Sequence, residues 1–127
     1  MVCCIYFFNL IFLKHFYIIG NMKIKNAVEA LSALAQESRL AIFRLLVQAG
    51  KEGVPAGVLG EQLGIPGATL SFHLKELSHA KLIKSRTDGR YVIYSASFVE
   101  MDKLIAYLTE NCCAGDATQC APRSTCK

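Results

Sequence analysis

The middle of this chain contains no cysteine, although its 127 residues include six of them. All six lie either in the first four residues or after residue 111. In a secreted protein of this size, six cysteines would predict three disulfides that hold the core together. Because the part of the sequence with the pattern of a folded domain has none, disulfides cannot link its elements. We therefore predict a reducing compartment, the cytoplasm, in which the cysteines remain thiols.

Residues 1–21 lack the features of a signal peptide. No basic region precedes the apolar run at residues 5–19, and no clear small-residue cleavage site follows it. The run is broken by Asn9, Lys14 and His15 and is shorter than the roughly 20 apolar residues of a membrane span. We interpret it as an upstream extension of the native protein; a membrane anchor and an additional N-terminal helix are the alternatives. No membrane partner is expected.

From Met22, where we expect the native protein to begin, the sequence contains no internal repeat and no low-complexity stretch. Its hydrophobic content of 53% and charged content of 19% are those of a folded globular domain. We predict one domain over residues 22–111, followed by a cysteine-rich tail over residues 112–127. The net charge of +4 permits nucleic-acid binding but does not establish it.

Apolar residues at helical spacing predict four short helices in the first part of this domain. The second helix is ended by Gly50, and the third is followed by a turn at residues 64–67 that contains two glycines. The fourth begins near Ala68 and has a single narrow apolar face. The apolar residues of the four helices are, in order, Val28, Leu31 and Leu34; Leu40, Phe43, Leu46 and Val47; Val58, Leu59 and Leu63; and Leu70, Leu74 and Leu77.

Two short helices joined by a tight glycine-containing turn match the helix-turn-helix arrangement, in which the second helix reads DNA. Ser71 is suited to a hydrogen bond with a base edge, Phe72 to a thymine methyl and Lys75 to a phosphate. An ordinary solvated surface is the alternative for each residue, although an outward phenylalanine on a polar face favours a binding role. With the leucines inward, the residues predicted to face outward or to flank that face are Ala68, Thr69, Ser71, Phe72, Lys75 and Glu76.

Two β-branched and aromatic segments, residues 82–87 and 90–95, flank Asp88-Gly89 and predict a β-hairpin with a two-residue turn. A hairpin that follows a DNA-reading helix is a wing. Lys84, Arg86 and Arg90 give it positive charge suited to phosphates or to a narrow minor groove. For any one of these residues, a charge that keeps the hairpin soluble is as good an explanation as DNA binding. The prediction of DNA binding therefore depends on all three charges lying on the same hairpin. The predicted fold class is mainly α with a β-hairpin wing (α+β), a winged helix-turn-helix.

A last helix is predicted after Ser97, because Ser97 and Glu100 have the spacing of a capping box. Its apolar face, together with that of the first helix, exceeds what one winged-helix core needs. We therefore predict a homodimer through the first and last helices, which would bind operator half-sites about 34–36 Å apart on double-stranded DNA. The apolar residues of this last helix are Met101, Leu104, Ile105 and Leu108.

Cys112, Cys113 and Cys120 follow directly on the last helix. Thiolates select soft metals and metalloids over calcium or magnesium. Three thiolates suit trivalent arsenic or antimony, whose lone pair occupies the fourth direction, whereas a closed zinc site takes four ligands. Cys126 as a fourth ligand keeps zinc as an alternative, although the tail contains no histidine.

These runs together resemble the ArsR/SmtB family of metal-sensing winged-helix repressors. The resemblance covers residues 26–113 and is carried by residues 31–40 (LSALAQESRL), residues 69–77 (TLSFHLKEL) and the wing Asp88-Gly89-Arg90. The ending at residues 107–113 (YLTENCC) is similar to the arsenic-responsive branch, which uses a C-terminal cysteine pair and a third cysteine. The resemblance implies a transcriptional repressor, not an enzyme, with As(III) or Sb(III) as inducer and no catalytic cofactor. It assigns the inducer site to Cys112, Cys113 and Cys120.

The chain departs from the family pattern in places. Val58 and Gly60 stand near the position of the Cys-x-Cys motif that many members use, and Asp102 has no accompanying histidine of the zinc-sensing type. Phe72 stands where members often carry histidine, which alters the expected base contacts. His73 matches a histidine of some members, so we include it in the DNA-binding set, with packing as the alternative.

Two other classes of function remain as alternatives. A redox switch on the same fold would pair Cys120 with Cys112 or Cys113 in a disulfide. A thiol enzyme is disfavoured because Cys112 follows a helix C-terminus, where the helix dipole opposes a thiolate.

Overall fold

The computed structural model describes residues 22–119, which form five α-helices and one three-stranded sheet. The predicted N-terminal extension and residues 120–127 lie outside the described residues. Three short 3₁₀ turns complete the described part, at Gly50–Glu52, Cys112–Gly115 and Ala117–Gln119. The main elements in chain order are α1 (Ile24–Leu34), α2 (Glu37–Ala49), β1 (Val54–Pro55), α3 (Ala56–Leu63), α4 (Gly67–His79), β2 (Ile83–Asp88), β3 (Tyr91–Ala96) and α5 (Phe98–Leu108).

Helix α1 packs on the core through alanines and not through its larger apolar residues. Ala27, Ala30 and Ala33 are buried at i, i+3 and i+6, which is a narrow helical face of small side chains. Val28 and Leu31 keep 54% and 42% of their surface exposed. Both residues belong to the apolar face through which we predicted dimerisation, and they form an apolar surface on the outside of the chain.

Helix α2 begins immediately after α1 and supplies the largest buried side chains of this part of the fold. Ile42, Phe43 and Leu46 are buried, and the helix ends at Gly50, whose φ of +72° suits glycine. The predicted end is confirmed. Leu40, which we expected inside, is exposed, and Ile42 takes its place in the core.

Helices α3 and α4 form the predicted helix-turn-helix. Gly64 closes α3 in the left-handed conformation, with φ +62°, and the following N–H of Ile65 donates to the carbonyl of Gly60 at 3.0 Å. Leu70, Leu74 and Leu77 are all buried on one face of α4, which confirms the predicted inward stripe.

The sheet has the strand order β1-β3-β2 and is antiparallel throughout. Strand β1 was not predicted; the sequence suggested only a break there. In the hairpin, Asp88 pairs with Tyr91, so the two-residue turn is Gly89-Arg90, one residue later than predicted. Gly89 has φ +59°, a backbone conformation that glycine adopts without strain.

Helix α5 begins after Ser97 as predicted, but not through the predicted capping box. The Ser97 side chain makes no cap hydrogen bond, and the Glu100 carboxylate instead pairs with Lys103 Nζ at 2.8 Å. Of its apolar stripe, Leu104 is buried whereas Ile105 and Leu108 are exposed. Among the helices within residues 22–119, none has the length and apolar content that crossing a membrane requires.

Candidate nucleic-acid interface and cysteine tail

The outer side of α4 forms a continuous polar surface at the start of the helix, which we call the reader face. Because the leucines at positions 70, 74 and 77 are buried, the opposite side of the helix points away from the core. Phe72 is 56% exposed there, which is unusual for a large aromatic ring on a polar helix. Glu76 is half-buried, whereas the other five residues predicted for this face are exposed: Ala68, Thr69, Ser71, Phe72 and Lys75.

The first turn of α4 adds backbone donors to this face. Pro66 precedes the helix, and no side chain within the described residues caps it. The Leu70 N–H is the first to be satisfied, by the carbonyl of Pro66 at 2.8 Å. The amides before it lie at the positive end of the helix dipole, where anions such as phosphates bind favourably. Residue types in the sequence do not reveal these donors, because the donors are backbone amides.

His73 differs from its neighbours on α4. Only 7% of its surface is exposed, and its Nδ1 atom has no hydrogen-bond partner within the described residues. The Phe72 ring meets it edge-on, with centroids 5.7 Å apart and an interplanar angle of 61°. His73 therefore lies beneath the reader face and supports Phe72 from below. This burial favours the packing alternative for His73, and its place in the DNA-binding set stays a prediction.

The wing presents its three basic residues, Lys84, Arg86 and Arg90, on exposed positions. Arg90 lies in the turn at the tip of the hairpin. Arg86 also has a structural role, because its Nη2 donates to the carbonyl of Glu52 at 2.8 Å. This bond ties the wing to the 3₁₀ turn that follows α2. Nothing in the local sequence signals it, since its partners are 34 residues apart.

The cysteine pair lies beyond the regular end of α5. The helix stops at Leu108, and Asn111, Cys113 and Ala114 all adopt left-handed backbone conformations, with φ between 53° and 56°. Such conformations are uncommon outside glycine and end a helix abruptly. Cys112 is half-buried and Cys113 is exposed. Adjacent cysteines cannot both face the same way on a regular helix, so this irregular end suits the pair.

Asp116 organises the segment that leads from Cys113 toward residue 120. Its N–H donates to the carbonyl of Cys113 at 2.9 Å. Its carboxylate accepts hydrogen bonds from the Thr118 hydroxyl at 2.6 Å, the Thr118 N–H at 3.0 Å and the Gln119 side-chain amide at 2.9 Å. These bonds, with the Thr118 hydroxyl contributing most, lower the pKa of Asp116. Sequence reasoning did not single out this residue, although Asp followed two positions later by Thr is a turn signal.

The third cysteine of the predicted inducer site, Cys120, lies outside the described residues, as do Cys3, Cys4 and Cys126. Within residues 22–119, no three His, Cys, Asp or Glu side chains are grouped closely enough to hold a metal ion. The three-thiolate site therefore stays a prediction that depends on Cys120.

The helix-turn-helix of this chain is similar to that of known proteins, and the similarity to solved structures covers most of the described residues. A family model described as "Helix-turn-helix domain" matches residues 34–86. An uncharacterised helix-turn-helix transcriptional regulator of Bacillus subtilis, YceK, is 47% identical over 58 residues, which is 46% of this chain. The match spans only 57% of the length of that relative.

Two solved structures superimpose on most of the described residues. NolR from Sinorhizobium fredii is 32% identical, with a TM-score of 0.55, and the match covers 68% of this chain and 83% of that one. An ArsR-like transcriptional regulator from Rhodococcus is 26% identical, with a TM-score of 0.61, and the match covers 72% of this chain and 82% of that one. The chain belongs to the ArsR family.

Membership of the ArsR family confirms the resemblance carried by residues 31–40, residues 69–77 and the wing, together with the winged-helix fold class. The family model ends at residue 86, before α5 and the cysteine tail. The arsenic-responsive branch thus rests on the tail sequence alone.

Proposed function

We propose that this protein is an arsenite-responsive transcriptional repressor, which binds operator DNA as a homodimer and is released when As(III) or Sb(III) binds Cys112, Cys113 and Cys120. The observation that carries the DNA-binding part is the reader face, on which the large aromatic side chain of Phe72 is more than half exposed. A winged-helix regulator places such a helix in the major groove.

DNA contacts divide into two kinds on this surface. Ser71 and Phe72 lie where base edges and thymine methyl groups are read. Lys75, Arg90 and the first-turn amides of α4 contact phosphates, which position the helix without selecting a sequence. Arg86 keeps its bond to Glu52 and holds the wing in place, so we assign it to positioning first and to a phosphate contact second.

A second copy of the chain covers the apolar surface on the outside of α1 and α5. These two helices contact each other, and each leaves apolar residues exposed. An exposed apolar patch of this extent on a small domain marks an interface. The residues concerned are Ile24, Val28 and Leu31 on α1 and Ile105 and Leu108 on α5.

The cysteine tail fits a soft, three-coordinate ligand better than a hard cation. Cys112 and Cys113 follow the dimerisation helix within five residues of its end, and neither is enclosed by the core. Trivalent arsenic is a soft centre that binds three thiolates arranged as a trigonal pyramid. The hydrogen bonds of Asp116 form a turn within residues 113–119, the segment that precedes Cys120 in the sequence.

Release from DNA follows if the ligand and the operator prefer different spacings of the two reader helices. Cysteines at the end of α5 are well placed to change that spacing, because α5 is also a dimer helix. A coupling of about 1–3 kcal/mol corresponds to a loss of DNA affinity of about 5–150-fold.

The test is a release titration monitored by fluorescence anisotropy, with a DNA fragment that the protein itself selects from a random pool. Arsenite, zinc, cadmium and peroxide are each added to the parent and to Cys112→Ser, Cys113→Ser and Cys120→Ser, with Cys126→Ser as the matched control. We expect arsenite to release the parent and the control but not the three variants. Phe72→Ala should weaken DNA binding in every arm.

Each component of the proposal has its own contradicting result. If all three cysteine variants are still released by arsenite, the inducer site is wrong. Release by peroxide and not by arsenite would replace the arsenite response with a disulfide switch on the same fold. Unchanged DNA affinity in Phe72→Ala would remove the reader face from the mechanism.

A further inference from the structure

A pocket of about 370 Å³ lies where the end of α4, the start of β2 and the start of α5 meet. Its polar lining comes from Ser78, Lys81, Lys84 and Ser97, and we call it the lysine pocket. It lies at the end of α4 opposite to the first-turn amides and outside the cysteine tail. None of the functions proposed above uses it.

Unsatisfied hydrogen-bond donors meet at this pocket. The first backbone bond of α5 runs from the Met101 N–H to the Ser97 carbonyl at 3.0 Å, so the amides of Phe98, Val99 and Glu100 precede the helical ladder. No side chain within residues 22–119 caps them. These amides lie at the positive end of an 11-residue helix.

Ser97 supplies an independent sign of a missing ligand. Only 2% of its surface is exposed, and its N–H is held by the Leu82 carbonyl at 2.8 Å. Ser97 lines the lysine pocket, and its side chain makes no cap hydrogen bond to α5. A buried hydroxyl in native structures normally has a partner.

Positive charge surrounds the same pocket. Lys81 and Lys84 are both exposed, and neither forms an ion pair within the described residues. The Lys81 N–H bonds to the Ser78 carbonyl at 2.9 Å, and its φ of +60° fixes the turn that leads into the wing. Glu100 also lines the pocket, but its carboxylate is paired with Lys103 Nζ at 2.8 Å, which offsets its repulsion of an anion.

We infer that the lysine pocket binds a tetrahedral oxyanion, either free phosphate or the phosphate group of a small phosphomonoester. The anion accepts hydrogen bonds from the Ser97 hydroxyl and the first-turn amides of α5, and the two lysines neutralise its charge. It joins the end of the reader helix, the first wing strand and the dimer helix, and so it stabilises the arrangement of these three elements. This site is independent of the proposed arsenite response.

The experiment is a titration of the full chain with inorganic phosphate at constant ionic strength, followed by two-dimensional NMR of the backbone amides. We expect saturable shifts of the Val99 and Glu100 amides. Ser97→Ala and Lys81→Gln should each weaken binding roughly tenfold, since each removes one hydrogen bond to a charged group. Lys51→Gln, an exposed lysine outside the pocket, should leave the affinity unchanged. Lys81 is exposed, so its variant is informative even if Ser97→Ala is unstable.

Parallel titrations with glycerol phosphate and with duplex DNA identify the source of the phosphate. Saturation by either small anion supports the inference, and the tighter one names the source. The inference is overturned if neither small anion gives saturable shifts, if only duplex DNA shifts these amides, or if Lys81→Gln binds phosphate as tightly as the parent.

Discussion

Arg39 joins the first two helices through both its backbone and its side chain. Its N–H donates to the Gln36 side-chain oxygen at 2.8 Å, which caps the start of α2. Its Nε donates to the carbonyl of Ala33 at 2.6 Å, one of the carbonyls that the end of α1 leaves unsatisfied. A single half-buried guanidinium therefore sets the angle between the dimer helix α1 and the core helix α2.

We predict that Arg39→Lys lowers the free energy of unfolding by about 1–2 kcal/mol, because an ammonium keeps the charge but not the planar Nε donor. Chemical denaturation followed by circular dichroism measures this. Arg44→Lys, an exposed arginine on the same helix, is the control and should have almost no effect. Equal stabilities of the two variants would show that the Ala33 bond contributes nothing.

Asp116 gives a pH dependence whose sign follows from its contacts. Hydrogen bonds to the Asp116 carboxylate, above all the one from the Thr118 hydroxyl, hold its pKa below the ordinary value of 3.8. The folded tail turn is therefore stabilised above pH 3.8, and this contribution disappears as the pH falls through the lower, folded-state pKa. We predict that Thr118→Val raises the pKa of Asp116 toward 3.8, as measured by NMR titration of the carboxyl carbon. Thr109→Val is the control: the Thr109 hydroxyl donates to the Ile105 carbonyl, so its loss should leave the pKa of Asp116 unchanged. An unchanged pKa of Asp116 in Thr118→Val would contradict the role given to the Thr118 hydroxyl.

At the scale of elements, the β1 strand depends on a glycine that precedes it. Gly53 has φ +73°, and a Cβ atom at this position would collide with the carbonyl oxygen of Tyr94 on the central strand. The close approach lets Val54 pair with Tyr94 and completes the sheet. The sequence suggested only a break here, because a two-residue strand has too few residues to show an alternating pattern.

We predict that Gly53→Ala destabilises the fold by about 2 kcal/mol or more, since it combines a positive φ with a backbone collision. Gly57→Ala is the matched control: it lies in α3 with nothing near the new methyl group, so it should be neutral or slightly stabilising. Thermal unfolding of both variants compares them. Similar melting temperatures would mean that the strand shifts to accommodate a side chain.

At the scale of the whole molecule, the described chain leaves apolar side chains exposed on α1 and α5. Alanines occupy the inner face of α1, and Val28 and Leu31 of its predicted apolar stripe point outward. Burying that surface against a second copy satisfies both the periodicity in the sequence and the exposure in the fold. It also places two reader faces on one particle, as operator recognition requires.

We predict that Val28→Glu converts the dimer to a monomer, because a carboxylate at the centre of an apolar interface would be desolvated without a partner. Light scattering after size-exclusion chromatography gives the mass. Val58→Glu, an exposed valine on α3 outside the proposed interface, should remain dimeric. If Val28→Glu and Ile105→Glu both keep the parental mass, the two chains associate through another surface or not at all.

Local patterns were sufficient where one residue and its near neighbours decide the outcome. The leucine spacing of α4, the stops at Gly50 and Gly64 and the existence of the hairpin were all readable from the sequence, because periodicity and turn chemistry act over a few residues. The outward side of α4 followed from its inward side. The turn was displaced by one residue because its place depends on strand register as well as on composition.

What only the tertiary structure decided involves partners far apart in the chain. The burial of His73, the Arg86 bond to Glu52 and the exposure of Val28 depend on how the helices pack, and no local pattern encodes that packing. The same holds for the lysine pocket, where the ends of three elements converge. The sequence by itself determined the helices, the hairpin and the family resemblance, since these reside in residue type and spacing. The fold decided which faces remain for DNA and for a second chain, because a surface is what packing leaves uncovered.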